Sequence, residues 1–192
     1  MKTSPGDAFL AEGEKHLDAG EWAHAEAAFR RAVEADPASA AALSKLGVAL
    51  IRQRRMGEAE QVFTRAVGVD PKHAPAWSNL GNVYQEAGRT DEALEAYQRA
   101  IAADPDYWLA YENLAALYKK LGRTSEQIAA QKKATRLKLS ARAPAARQGT
   151  AGSRPAAAGR RRLGCLGGAA AVILLLTLLA VALLPGAVSA VL

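Results

Sequence analysis

Histidine and cysteine, which often do acid–base and nucleophilic chemistry in enzymes, are rare in this 192-residue sequence. The three histidines are His16, His24 and His73, and the single cysteine is Cys165. No nucleophile, base and orienting acid stand in an arrangement typical of an enzyme, and there is no glycine-rich phosphate loop. A lone cysteine excludes an internal disulfide and offers no zinc-binding spacing. We therefore predict no enzymatic activity, no cofactor and no metal site.

The side chains best suited to binding another molecule are polar and lie in two stretches that are 34 residues apart. Asn79 and Asn113 form the clearest pair. An asparagine side chain offers N–H donors and an acceptor, so it can pair with the backbone of an extended peptide of any sequence. Alternatively, both residues are only solvated surface positions. The predicted partner-binding set is Ser78, Asn79, Asn82, Gln85, Glu112, Asn113 and Lys119.

These residues belong to a 34-residue repeat that must position them. The same kinds of residue return at each position of the repeat. Bulky residues stand at Phe9, Leu43, Trp77 and Tyr111, small residues at Gly13, Gly47, Gly81 and Ala115, and alanines at Ala32, Ala66, Ala100 and Ala134. Asp-Pro pairs close the first three units, ending at Pro37, Pro71 and Pro105.

Each unit is expected to fold as a hairpin of two helices. In the third unit, apolar residues from Trp77 to Tyr84 recur at helical steps and share one face. Gly88 ends this helix, and a second apolar stripe runs from Ala93 to Ala100. One hairpin cannot bury its own apolar face, so stacking on its neighbours completes the core.

The outline Trp77-x2-Leu80-Gly81-x2-Tyr84…Ala93-x3-Tyr97…Pro105 resembles the tetratricopeptide repeat (TPR) family. The resemblance covers residues 4–139, with repeats at about 5–38, 39–72, 73–106 and 107–139. It implies an all-α solenoid of about four helix hairpins. It also implies a concave groove that holds a peptide or helix of a partner protein, with the predicted partner-binding residues on its inner face.

The resemblance also bears on the kind of peptide. TPR co-chaperones grip acidic peptide C-termini with a clamp of Lys, Asn and Arg, but the corresponding positions here hold Leu10, Glu14, Ser44 and Val48. We therefore expect no such clamp. Asn79 and Asn113 instead resemble two rungs of the asparagine ladder in the TPR superhelix of O-GlcNAc transferase.

Three units depart from the pattern. In the first, His16 replaces the tyrosine, as expected of a terminal repeat that faces water on one side. In the second, residues 52–56 replace the glycine turn with RQRRM, which predicts a solvated basic turn or, alternatively, a docking patch for an acidic partner. In the fourth, Gln127 and Gln131 replace apolar residues, which predicts a polar end to the solenoid.

Charge divides the chain into two parts. All 19 acidic residues and 15 of the Lys and Arg residues precede residue 127, giving a net charge of −4, whereas the remaining 10 Lys and Arg give +10. The basic balance therefore comes from the tail and does not indicate nucleic acid binding. Residues 140–162 are rich in Ala, Gly, Pro and Arg, which predicts a basic, disordered linker.

A membrane anchor is predicted at Leu163–Leu184, which carries no charge. At about 1.5 Å per residue this helix spans roughly 33 Å, enough to cross a bilayer core of about 30 Å. Arg160, Arg161 and Arg162 precede it and favour the cytoplasmic face. The prediction is a single-pass, tail-anchored protein with a cytoplasmic solenoid and a short tail at residues 185–192. Gly164 and Gly168 have the spacing of a helix-dimer contact, so a homodimer is possible.

The absence of cations after the span favours a bacterial inner membrane, with an endoplasmic-reticulum-type membrane as the alternative. The functional hypothesis is a membrane-anchored adaptor that binds a protein partner. Two alternatives stay open: a self-assembling structural or membrane-remodelling component, and a regulatory subunit of a membrane enzyme complex. A fold of this kind does not decide among them.

Overall fold

The computed structural model describes residues 5–148, which belong to the first of the two units into which the chain divides, Met1–Ala151. The predicted span at 163–184, Arg160–Arg162, the glycine pair Gly164 and Gly168 and the tail at 185–192 lie outside the described residues. None of the helices in residues 5–148 combines the length and the apolar character needed to cross a bilayer.

The described part of the chain is built of helices joined by short turns. The helices are α1 (Pro5–Asp18), α2 (Trp22–Ala35), α3 (Ala40–Arg52), α4 (Met56–Val69), α5 (Ala74–Glu86), α6 (Thr90–Ala103), α7 (Trp108–Lys120) and α8 (Thr124–Gln148). Consecutive helices pack as four hairpins, α1–α2, α3–α4, α5–α6 and α7–α8. The predicted all-α solenoid of four hairpins is therefore confirmed.

The last helix is longer than the sequence pattern predicts. Helix α8 continues to Gln148, so residues 140–148 are helical, in contrast to the prediction of a disordered linker at 140–162. Alanine and arginine dominate this stretch and both favour helix, in spite of Pro144, which lacks the backbone N–H that a helix interior uses. A composition that is too poor in apolar residues to form a core can still extend an existing helix.

The core of each of the first three hairpins contains a close approach between a glycine and an aromatic ring. Phe29, Phe63 and Tyr97 are fully buried. A Cβ added to Gly47 would lie 2.6 Å from the Phe63 ring, and one added to Gly81 would lie 2.6 Å from the Tyr97 ring. Because real Cβ atoms do not approach other atoms this closely, glycine is required where the aromatic ring fills the hairpin.

Polar contacts connect the first two hairpins across the interface where they pack, which is called the seam below. Arg55 lies just before α4, and its guanidinium contacts Glu26 of the preceding hairpin at 2.6 Å and Glu58 in the first turn of α4 at 2.5 Å. Burial alone would raise the pKa of the Glu26 carboxyl, but hydrogen bonds from Arg30, Gln53 and Arg55 outweigh it and lower the pKa. The stabilisation is therefore present above the ordinary carboxyl range and is lost as pH falls through the folded-state pKa.

The next seam repeats this arrangement. Arg89 bridges Glu60 at 2.7 Å and Glu92 at 2.5 Å. Arg123 occupies the same repeat position in α7–α8 and pairs with Glu126, while Leu94 stands where an acidic residue would reach it from the preceding hairpin. The basic turn of the second unit therefore has a structural role, because its Arg55 pairs with two carboxylates and links two hairpins.

Arg54 occupies the left-handed position of the turn between α3 and α4, with φ of 65°. The three other hairpin turns place Gly20, Gly88 and Gly122 there, at φ of 77°, 74° and 70°. A residue with a Cβ costs roughly 1–2 kcal/mol in this conformation, and the greater freedom of glycine in the unfolded chain offsets part of the gain from removing it.

We expect Arg54→Gly to raise the free energy of unfolding by about 0.5–1 kcal/mol. Urea denaturation followed by circular dichroism measures the change. Gly88→Arg, the reverse exchange in the third hairpin, should lower the stability by a similar amount. Equal or reduced stability of Arg54→Gly would show that the arginine side chain offsets the backbone strain.

Candidate peptide-binding groove

The odd-numbered helices form one continuous layer of the solenoid. Helix α1 contacts α3, α3 contacts α5 and α5 contacts α7. Among the described residues, no such direct contact joins successive even-numbered helices. The odd-numbered helices therefore lie on the inner side of the curved stack, and the surface they share is called the inner face below.

Side chains on the inner face tie neighbouring hairpins together at two places. The Lys45 ammonium on α3 contacts the Glu14 carboxylate on α1 at 2.7 Å. The Asn113 amide on α7 donates to the Ser78 hydroxyl on α5 at 3.1 Å. These two contacts show which side of α1, α3, α5 and α7 faces a neighbouring helix of the inner layer.

The predicted pair Ser78 and Asn113 therefore has a structural role. Ser78 is only 1% exposed, so a ligand cannot reach it in this arrangement. Asn113 is half-buried and donates one N–H of its side-chain amide to Ser78. Its carbonyl oxygen and second N–H are still available for another partner.

Asn82 and Gln85 are directed towards their own hairpin. The Tyr97 hydroxyl donates to the Asn82 side-chain oxygen at 2.7 Å and approaches the Gln85 oxygen at 3.4 Å. Burial raises the pKa of the Tyr97 hydroxyl, so this group keeps its proton and acts as the donor. Both residues thus satisfy a buried tyrosine and retain only part of their hydrogen-bonding capacity.

The other predicted residues differ in whether their side chains already have partners within the protein. Glu112 pairs with Lys138 on α8 at 3.2 Å, whereas Lys119 is exposed near the end of α7. Asn79 is half-buried and makes no side-chain hydrogen bond within the described part of the chain. Asn79 is therefore the predicted residue whose donors and acceptor are most available to a ligand.

Family comparisons agree with this architecture. Three family models described as tetratricopeptide repeat match residues 10–74, 74–107 and 96–129. Together they span residues 10–129, which is more than half of the chain. The chain belongs to the tetratricopeptide repeat family. The predicted TPR identity is thus confirmed, and the four hairpins are TPR units.

Several solved structures share the fold. The crystal structure of MamA is 28% identical with a TM-score of 0.61, covering 71% of this chain and 80% of MamA. Pseudomonas aeruginosa PilF is 25% identical with a TM-score of 0.64, covering 69% and 60%. The first TPR domain of Spaghetti (RPAP3), bound to the HSP90 peptide SRMEEVD, is 20% identical with a TM-score of 0.58, covering 64% and 97%. Among curated proteins, no sequence matches this chain.

An apolar part of the TPR inner face was not among the predicted partner-binding residues. Leu10 and Leu17 flank Glu14 on α1, and Val48 and Ile51 follow Lys45 on α3. All four are only partly buried against the core. Aligning the repeats would have revealed them, because Leu17 and Ile51 occupy the repeat position that Gln85 and Lys119 fill in the later TPR units.

Proposed function

We propose that this protein is a membrane-held TPR adaptor whose inner face binds a segment of a partner protein. The observation that carries the proposal is the state of Asn79, a half-buried amide in the middle of the inner face without a hydrogen bond inside the described chain. Because none of the buried side-chain nitrogen and oxygen atoms among the described residues lacks a hydrogen-bond partner, the unpartnered Asn79 amide is open to solvent and can bind a ligand backbone there.

The inner face changes in character along the stack. The α1 and α3 part presents partly exposed aliphatic side chains, Leu10, Leu17, Val48 and Ile51. The α5 and α7 part presents amides and a lysine, Asn79, Asn113 and Lys119. The ligand best suited to this surface is an extended or helical segment with apolar side chains at one end and exposed backbone or polar groups at the other.

Peptide binding by a protein of the same fold supports the class of function. The similar RPAP3 domain holds an HSP90 peptide, and folds of this kind use their concave layer for such segments. The positions that would form a carboxylate clamp in this chain hold Leu10, Glu14, Ser44 and Val48. We therefore propose a ligand that is recognised by apolar and backbone contacts and not by a terminal carboxylate.

The membrane part of the proposal comes from the sequence. The uncharged stretch 163–184 is long enough to cross a bilayer, and Arg160–Arg162 before it favour the cytoplasmic side. We propose that the TPR units lie in the cytoplasm, at a bacterial inner membrane or an endoplasmic-reticulum-type membrane. Gly164 and Gly168 are proposed to allow two spans to pack as a homodimer.

Site-specific photo-crosslinking in cells tests the groove. A benzoylphenylalanine placed at position 79 should form a covalent adduct with the partner, and mass spectrometry of the adduct identifies the bound segment. The matched control places the same photo-reactive residue at position 98, where Gln98 is exposed on the even-numbered helix α6. Equal adducts at both positions, or none at position 79, would contradict binding at the inner face.

Binding of the identified segment, made as a synthetic peptide, then gives a quantitative test. Asn79→Ala should weaken the peptide affinity by about tenfold, the equivalent of one good hydrogen bond. The melting temperature should not change, because Asn79 makes no side-chain hydrogen bond within residues 5–148. Gln98→Ala serves as the control and should leave the affinity unchanged, whereas an unaltered affinity for Asn79→Ala would remove this residue from the site.

A further inference from the structure

The turn of the first TPR unit brings two imidazoles and a carboxylate together. His16 Nδ1 lies 2.5 Å from Glu21 Oε2, and His24 Nδ1 lies 4.0 Å from the same oxygen. One ligand atom from each of the three residues falls within 4.8 Å of the others. Imidazole nitrogen and carboxylate oxygen are typical ligands of a divalent transition metal.

The backbone of the TPR turn places the first two of these residues. The Glu21 amide donates to the His16 carbonyl at 2.9 Å across the turn. The same bond recurs in the later units, from Arg89 to Tyr84 at 2.9 Å and from Arg123 to Tyr118 at 2.9 Å. The fold therefore holds this pair of positions side by side in each of these turns, whatever residues occupy them.

Side chains at the corresponding positions also meet in the third unit. Arg89 stacks on the Tyr84 ring at 4.3 Å and pairs with Glu92 at 2.5 Å. Tyr118, Arg123 and Glu126 make the same contacts in the fourth unit. The tyrosine, arginine and glutamate of these units are replaced in the first unit by His16, Glu21 and His24, respectively.

This replacement is more specific than the loosening expected of a terminal repeat. Solvent exposure of a terminal unit explains the loss of an aromatic residue, but it does not favour a metal-ligating residue at each of three positions that meet. His24 and Glu21 are exposed enough for an ion to enter from solvent.

We propose that His16, Glu21 and His24 bind a divalent transition metal ion of the zinc class. In tetrahedral coordination with bonds of about 2.0–2.1 Å, neighbouring ligand atoms lie about 3.3 Å apart. The distances of 2.5 Å and 4.0 Å from the glutamate oxygen bracket this value, so small side-chain rotations reach it. Three protein ligands leave a fourth position for water or for a group from another molecule.

Metal titration of the full-length protein tests the site. The protein is prepared without a polyhistidine tag, in mild detergent, and treated with a chelator before Zn²⁺ is added in a calorimeter. We expect about one Zn²⁺ ion per chain. Co²⁺ in place of Zn²⁺ should give the visible absorption of a nitrogen- and oxygen-bound tetrahedral or five-coordinate ion, which reports the ligands directly.

Residues from the third TPR unit can replace the three proposed ligands in a matched variant. The triple replacement His16→Tyr, Glu21→Arg and His24→Glu installs the residues of the third unit and should fold as that unit does. It should lose Zn²⁺ binding by at least tenfold while its helical circular dichroism is unchanged. His73→Tyr installs the residue found at the same repeat position as Tyr107 and should leave Zn²⁺ binding intact.

Two results would overturn the proposal. The first is a wild-type protein that takes up no Zn²⁺ at millimolar concentration, in which case the cluster is only a His16–Glu21 hydrogen bond. The second is equal Zn²⁺ binding by the wild type and the triple variant, which would place the ion elsewhere on the chain. Should the triple variant not fold, His24→Gln alone replaces it and is expected to weaken Zn²⁺ binding by at least tenfold.

Discussion

Gly81→Ala should lower the free energy of unfolding by about 2 kcal/mol. The new methyl group would lie 2.6 Å from the Tyr97 ring, which is fully buried and has its hydroxyl bound to Asn82. Overpacking a core typically costs about 1–3 kcal/mol and occasionally more. Alanine recovers about 1 kcal/mol in a helix interior relative to glycine, so a net loss is expected in spite of its better helix propensity.

Urea denaturation of the full-length chain in detergent, followed by circular dichroism at a helical wavelength, measures this loss. The fourth unit provides the control, because Ala115 and Gln131 stand where Gly81 and Tyr97 stand in the third. Ala115→Gly removes a methyl group from an existing space and should cost only about 1 kcal/mol.

The double variant Gly81→Ala, Tyr97→Gln decides whether the clash is the cause. It installs the pair that the fourth unit already uses, so the alanine methyl no longer meets a ring. The cost of Gly81→Ala should fall by at least about 1 kcal/mol in this background, a coupling within the range found for residues in contact. Additive effects of the two changes would mean that the methyl group and the ring do not meet.

The same pairing explains why the fold could be predicted from the sequence. A glycine on the first helix and an aromatic residue on the second recur as Gly13 and Phe29 and again as Gly47 and Phe63. Each pair records a steric requirement between two helices, so its spacing predicts both the helices and their packing. The continuation of α8 to Gln148 was not predicted, because low apolar content excludes a core but does not exclude a helix.

The residues of the proposed binding surface were harder to predict than the fold. Helical spacing shows on which side of α5 and α7 a residue lies, and the predicted polar residues do lie on those helices. It does not show which of them find partners inside the protein. Asn82 accepts from a tyrosine fifteen residues later, and Asn113 donates to a serine of the preceding unit. Such contacts depend on the distance between helices, which a single sequence does not specify.

The histidine cluster was missed for a related reason. His16 and His24 are separated by a turn, and their spacing matches no familiar metal motif. The cluster could nevertheless have been found by comparing equivalent positions of the repeat units. Comparing His16, Glu21 and His24 with the third unit shows tyrosine, arginine and glutamate at the same positions. Once one unit shows that these positions meet, the residues of the other units can be interpreted as a set.

Deleting residues 160–192 should move the protein from the membrane fraction to the supernatant almost completely. The deleted segment contains the whole uncharged stretch 163–184, and the chain before it carries no comparable apolar run. None of the helices in residues 5–148 is long and apolar enough to replace it. A spanning helix buries enough apolar surface to be held effectively irreversibly, in contrast to an interfacial anchor.

Ultracentrifugation after lysis without detergent, followed by carbonate extraction, measures the distribution. Leu174→Arg is the point-variant counterpart, since an arginine at the centre of a span costs about 2.5–3.5 kcal/mol on insertion and should reduce the membrane-bound fraction. Leu139→Arg adds the same charge at an exposed position of α8 and should leave the fraction unchanged. If carbonate removes the full-length protein from the membranes, the apolar stretch 163–184 does not span the bilayer. The basic residues near position 160 would then hold the protein at the membrane surface. If it is in the supernatant before extraction, the membrane part of the proposal is wrong, while the prediction for Asn79 can still be tested by itself.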